Sequence, residues 1–252
     1  MGDFELVLGL TPRDDQMHGV WMRGDERVHA DTAQLGYRTI AEAVKELMGK
    51  VPDRADTVVF AVPFPRTFMR SIEIPAAPDL PLGQFAEQFA ASEMPYPLTD
   101  AVMDYSVVES AADPAKRRLL LTGGLKKDLE PYRPSLETLS GSRRIVIPQT
   151  TALWAAARMP ENIPHSLLIY FWKSHLDVIW CEFGRLRHLR LVPIPREKIL
   201  TGVTSRDPDL LAKLSSEIRL SGDFIRKQSS VEIRSIMARV VQLDEFFFYG
   251  GP

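Results

Sequence analysis

The chain has 252 residues and a formal net charge of −2, with 45% hydrophobic and 25% charged residues. This near-neutral balance gives no bulk attraction to nucleic acid or anionic lipid, and the apolar share can fill a sizeable core. No apolar run approaches the roughly 20 residues that span a bilayer, the N-terminus lacks the basic-then-apolar order of a signal peptide, and the single cysteine, Cys181, fits a reducing, cytoplasmic setting.

Residues 4–10 form a short apolar run and 19–23 a second strand, separated by the polar break Thr11-Pro12-Arg13-Asp14-Asp15-Gln16. Gly24-Asp25-Glu26 turns into a third strand over 27–30, so the opening reads as a three-stranded meander. Asp31 or Thr32 is placed to cap a helix that carries Leu35, Ile40, Val44 and Leu47 on one face and ends before Pro52. The β-branched run 57–62 fits a strand covered on both faces. A strand over 68–74 and a helix over 82–94 follow, the helix stopped by Pro95 and Pro97. Strands at 102–109 and 118–122 flank the turn-forming Asp113-Pro114. Pro131 and Pro134 interrupt a helix over 126–139, and a strand over 144–147 leads into a helix over 149–158.

The opening pattern then returns. Strands at 167–172, 175–181 and 186–194 are separated by Lys173-Ser174 and by Glu182-Phe183-Gly184-Arg185. A helix starts after Asp207-Pro208 with Leu210, Leu211, Leu214, Ile218 and Phe224 on its buried side, and a shorter helix and a strand over 245–249 close the pattern. Meander, helix and strand occur twice, at 4–62 and 167–249. This is the organisation of a duplicated α/β fold, with a ligand cleft expected between the halves.

That plan resembles the actin-like (ribonuclease-H-type) fold of actin and hexokinase. One segment is more specific. Ala90-Ala91-Ser92-Glu93-Met94-Pro95-Tyr96-Pro97-Leu98, followed by Val102-Met103-Asp104-Tyr105-Ser106-Val107-Val108, resembles the PilM-type pilus-assembly family and the related type II secretion L proteins. Ser216-Glu217-Ile218-Arg219 and Gly184-Arg185-Leu186 are similar to the family's second half. The resemblance implies a first actin-like subdomain at 1–63, an inserted α+β module at 64–122, completion of the first half at 123–165, and a second half at 166–252. It also implies that longer members continue where this chain ends, at Tyr249-Gly250-Gly251-Pro252.

An actin-like ATPase grips nucleotide with two glycine-containing hairpins whose amides approach the phosphates and whose aspartates hold Mg²⁺ through oxygen. In the resembling stretch Leu8-Gly9-Leu10-Thr11-Pro12, Gly9 stands at the aspartate position and Pro12 removes an amide donor. In Ile169-Tyr170-Phe171-Trp172-Lys173-Ser174, neither Asp nor Gly remains. Vestigial phosphate hairpins are therefore expected near Gly9 and Thr11 and near Lys173 and Ser174, with Gly250 and Gly251 as a weak match to the adenosine-side glycines. Without the metal-binding carboxylates, no cofactor and no catalytic residue is assigned. The alternative is an active actin-like ATPase binding ATP and Mg²⁺ through substituted ligands. Asp14 and Asp15 are the candidates for that role, or else a solvated turn.

Other chemistry is absent from the sequence. There is no phosphate-binding loop of the Walker type, no nucleophile elbow and no zinc-protease motif, and the five histidines have no ligand spacing. Gly123-Gly124 lies where a strand meets a helix and reads as a tight turn or a remnant phosphate loop, and Cys181 as a small core residue. The basic strand residues Arg185, Arg187, His188 and Arg190 and the patch Lys116-Arg117-Arg118 read as solvated charge, or as contact with an acidic partner or a membrane surface.

The resemblance implies a cytoplasmic scaffold, peripheral to the inner membrane, that docks the N-terminal peptide of a single-pass pilus or secretion protein. The implied groove involves Phe64, Phe68, Met94, Tyr96 and Leu98, and self-association stays open. These side chains are equally suited to a plain core.

Overall fold

The computed structural model describes residues 5–51, 53–63, 67–77, 79–109, 115–139, 142–157, 163, 165–205, 207–228 and 237–241. They form two compact units, one within Met1–Pro65 and Leu125–Leu153, the other within Arg66–Gly124 and Trp154–Gln242. Phe64, Gly250, Gly251, the Asp113-Pro114 turn and the strand expected over 245–249 lie outside the described residues.

In the first unit, strands β1 (Leu6–Arg13), β2 (Gln16–Arg23) and β3 (Glu26–Gln34) form an antiparallel meander. Helix α1 (Ile40–Met48) leads to β4 (Thr57–Val62), which pairs parallel with β1. Alternation along β1 buries Leu6, Leu8 and Leu10 beside Ala43, Val44 and Leu47 of α1, in a core completed by Met17, Trp21, Val58 and Phe60. Gly19 leaves room there: a Cβ would come within 3.1 Å of the Trp21 ring and 3.3 Å of Leu47.

The polar break expected at 11–16 shrinks to the two-residue turn Asp14-Asp15, because β1 continues through Thr11 and Pro12 to Arg13↔Gln16. Likewise, Asp31 and Thr32 belong to β3, which pairs as far as Gln16↔Gln34. The cap of α1 is Thr39: its hydroxyl accepts the Glu42 amide at 3.2 Å and its amide donates to the Glu42 carboxylate at 2.8 Å.

The second unit carries β5 (Phe68–Pro75), α2 (Leu82–Glu93), β6 (Ala101–Glu109) and β7 (Lys116–Leu125). Pro131 divides the predicted helix over 126–139 into the short α3 (Lys126–Leu129) and α4 (Arg133–Thr138), both in the first unit. There too, β8 (Arg143–Pro148) pairs parallel with β4 and completes a five-stranded sheet of order β3-β2-β1-β4-β8. Helix α5 (Gln149–Ala157) follows.

A second antiparallel meander, β9 (His165–Phe171), β10 (Leu176–Glu182) and β11 (Arg185–Val192), then leads to α6 (Arg196–Ser205), α7 (Pro208–Gln228) and β12 (Met237–Val241). β12 pairs parallel with β9, as β4 does with β1, although the returning strand of the second meander was expected over 245–249. Asp207 caps α7 by accepting the amides of Asp209 and Leu210 at 3.0 and 3.2 Å. Leu210 is buried, whereas Leu211, expected beside it, is exposed.

The sheet of the second unit has seven strands, in the order β12-β9-β10-β11-β5-β7-β6. Chain order puts 64–122 inside the first half, yet hydrogen bonding lays β5 against β11 through the single pair His188↔Arg70.

Candidate functional site

Where the first phosphate hairpin was expected, β1 is an unbroken strand. A Cβ at Gly9 would meet nothing nearer than the Val20 carbonyl at 3.8 Å, so space alone does not demand glycine. Beyond Leu10 the pairing with β4 ends, and side chains satisfy the freed edge. The Thr11 hydroxyl donates to the Ala61 carbonyl at 3.1 Å and accepts from the Gln149 amide at 2.7 Å. The same amide nitrogen donates to the Pro12 carbonyl at 2.6 Å. Gln149 is buried at the first position of α5, so a neutral side chain closes this hairpin. Asp14 takes φ 52°, a conformation aspartate tolerates, and turns away from no one: it forms an ion pair with Arg13 at 4.0 Å.

The second hairpin is built differently. The Trp172 amide donates to the His175 carbonyl at 2.8 Å, closing the turn that holds Lys173 and Ser174. The Trp172 ring stacks on His175 at 5.9 Å and meets Tyr170 edge-on at 4.6 Å. Its indole N–H donates to Oδ2 of Asp177 at 2.6 Å. Asp177 is fully buried opposite Tyr170 in the ladder, and its Oδ1 accepts no hydrogen bond.

Burial pushes the Asp177 carboxyl up to about 7, opposed by the indole bond, and lowers the His175 imidazole to about 4. Between those values both groups are uncharged, so their 3.7 Å approach is no ion pair there. Serine hydroxyl Oγ of Ser174 lies 3.0 Å from Nδ1 of His175, at the exposed end of the cluster.

The other expected residues that are described lie as follows. Phe68 and Met94 are buried in the cluster that packs α2 on β5 and β7, with Tyr96 and Leu98 partly buried against it. Gly123 and Gly124 lie inside β7 and make neither a turn nor a phosphate loop. A Cβ on Gly123 would sit 2.3 Å from the Met94 methyl and 3.1 Å from the Val102 carbonyl, so glycine admits Met94 and β6. Cys181 is fully buried and burial pushes its thiol up to about 12, as befits a core residue rather than a nucleophile. Arg187 and Arg118 reach the buried Glu182 carboxylate at 2.5 and 3.2 Å, and Arg190 reaches Glu217 at 2.7 Å. Among the described residues no group of His, Cys, Asp and Glu could hold a metal ion, and no helix is long and apolar enough to cross a membrane.

Sequence reasoning passed over Gln149 and Asp177. An aspartate in the apolar run Leu176–Glu182 was a usable signal, since a buried acid needs a partner. Nothing local marked Gln149, whose contacts lie 137 and 138 residues away.

No family model and no curated protein matches the chain. Among solved structures, a chain of a PilM–PilN type IV pilus biogenesis complex is similar with 15% identity, covering 92% of this chain and 81% of that one at a TM-score of 0.66. A Bacteroides thetaiotaomicron protein of actin-like ATPase fold and unknown function matches with 11% identity over 98% and 89% of the two chains, at a TM-score of 0.49. The cytoplasmic domain of EpsL, an inner membrane component of the type II secretion system of Vibrio cholerae, matches with 14% identity over 75% and 70%, at 0.47. The likeness to the pilus chain is one of fold: this chain has the actin-like α/β fold that the repeated meander, helix and strand had implied.

Proposed function

We propose that the chain is a cytoplasmic scaffold of a type IV pilus or type II secretion platform, docking the cytoplasmic tail of a membrane partner and turning over no nucleotide. The observation that carries this reading is the closure of each hairpin from within its own unit. Gln149 occupies the carbonyl and hydroxyl of the first, while Trp172 occupies the fully buried Asp177 of the second. Mg²⁺ takes oxygen ligands and keeps several waters, which a fully buried Asp177 already bonded to an indole does not fit.

The fold likeness to a PilM–PilN chain supports the platform setting and a peptide ligand. In this reading the partner is the N-terminal peptide of a single-pass inner-membrane protein, and membrane contact is made through it. Tyr96 and Leu98, partly buried at the end of α2, offer apolar contact, with Phe68 and Met94 as their support.

Titration calorimetry with Mg-ATP is the direct test, and no heat of binding is expected. The competing reading, an ATPase with substituted ligands, draws on Asp14 and Asp15 in the turn of the first hairpin. Micromolar Mg-ATP binding that disappears when Asp14 and Asp15 are replaced by Asn supports that reading and removes ours.

A further inference from the structure

The outermost strands of a sheet present unpaired amides and carbonyls, and proteins blunt such edges with charges, proline or shortness. Among the described residues, three of the four sheet edges carry one of these devices. Strand β3 has Glu26, Arg27, His29 and Asp31 within its nine residues. Strand β8 begins with Arg143 and Arg144 and ends at Pro148. Strand β12 is five residues long, with Arg239 at its centre. The exception is β6. It runs nine residues, Ala101–Glu109, at the end of its sheet beyond β7, and contains no lysine, arginine or proline.

Alternation along β6 puts Met103, Tyr105 and Val107 on one face. Met103 packs against the cluster that joins α2 to β5 and β7. Tyr105 reaches the first turn of α2, where a Cβ on Gly83 would lie 3.7 Å from its hydroxyl. Beyond Met103 the cover thins, and Tyr105 and Val107 are each 37% exposed. An apolar row therefore runs from the core out along an open edge. On the opposite face Asp104 and Ser106 are exposed, and the Asp104 carboxylate accepts the Tyr105 amide at 2.8 Å.

We propose that β6 pairs antiparallel with β6 of a second copy of this chain, about a two-fold axis at Tyr105. Charge and length select this register. Centring on Tyr105 pairs all nine residues of the strand. It sets Asp104 opposite Ser106 in both directions, whereas centring one residue earlier sets Asp104 against itself, a like-charge pair that destabilises a ladder. On the apolar face it brings Tyr105 to Tyr105 and Met103 to Val107, so each copy covers the row that the other leaves exposed. A second copy is favoured over an unrelated strand because one stretch of sequence meets both requirements, and a two-fold contact takes a single self-complementary patch.

Sedimentation equilibrium of the full chain over a range of concentrations tests this, and a monomer–dimer equilibrium is expected. Ser106→Asp meets Asp104 of the second copy at two symmetric places and should raise the dissociation constant about tenfold. Ser106→Lys makes two opposite-charge pairs at the same places and should lower it about tenfold. The opposite signs separate the register from general damage, since a substitution that merely disturbs the fold cannot tighten the dimer. A chain that stays monomeric at every concentration would overturn the proposal and leave the edge to the strand of another protein. A dimer that ignores both substitutions, or weakens with both, would overturn it as well, by placing the contact outside this register.

Discussion

The β1–β2 and β9–β10 hairpins take equivalent places in the duplicated topology, yet they settle their buried polar groups by opposite means. The first uses a neutral amide, Gln149, that bonds a hydroxyl and a carbonyl. The second buries an acid, Asp177, beneath a stack of Trp172 and His175. A duplicated backbone therefore constrains strand pairing but not electrostatics. The first solution has no proton to gain or lose, whereas the second is linked to pH.

Asp177→Asn should break this contrast most strongly. The folded pKa of about 7 lies above the ordinary aspartate value of 3.8, so the folded chain holds a proton that the unfolded chain has released. The stability contributed by that proton is full below the lower value and lost as pH rises through the upper one. Natural chain and variant should match at about pH 4, and the variant should gain by as much as about 4 kcal/mol at about pH 8, read by urea unfolding. A difference that stays flat across this range would show Asp177 titrating as an ordinary carboxyl. His175 acts in the opposite sense: its lowered pKa of about 4 makes stability rise with pH up to the ordinary imidazole value of 6.5. Removing it as His175→Gln should leave the loss caused by Asp177 uncompensated, giving a steeper fall between those two values.

Trp172→Phe keeps the ring and deletes the indole donor. It should cost about 2 kcal/mol above pH 7, where the bond is to a charged acceptor, and about half that at pH 5. Gln149→Leu should cost about 1–2 kcal/mol by leaving the Pro12 carbonyl without its donor, and by the same amount at both pH values. A pH-dependent cost there would erase the distinction between the hairpins. Asp14→Gly should be smallest, within a few tenths of a kcal/mol, because both residues accept the left-handed turn.

Much of the fold was legible because hydrophobic periodicity is local. The alternation of Leu6, Leu8 and Leu10, the proline that divides 126–139, and the Asp207 cap of α7 all follow from neighbours in sequence. Boundaries failed where pairing extended a strand past its propensity, as at Thr11–Pro12 and Asp31–Thr32, since ladder bonds outweigh weak local preference. The glycines of β7 misled for a related reason. Gly123 reads as a turn, but its lack of a Cβ serves a neighbour, Met94, that the local sequence does not identify.

By itself the sequence determined the two meanders and the strand over 57–62, properties of residue type and spacing. Only the tertiary structure decided that Gln149 closes the first hairpin, that Trp172 holds the acid of the second, and that β5 lies along β11. The physical reason is one of range. Apolar burial follows a period set by each strand or helix, whereas a buried polar group must find a specific partner, and that partner can come from anywhere in the chain.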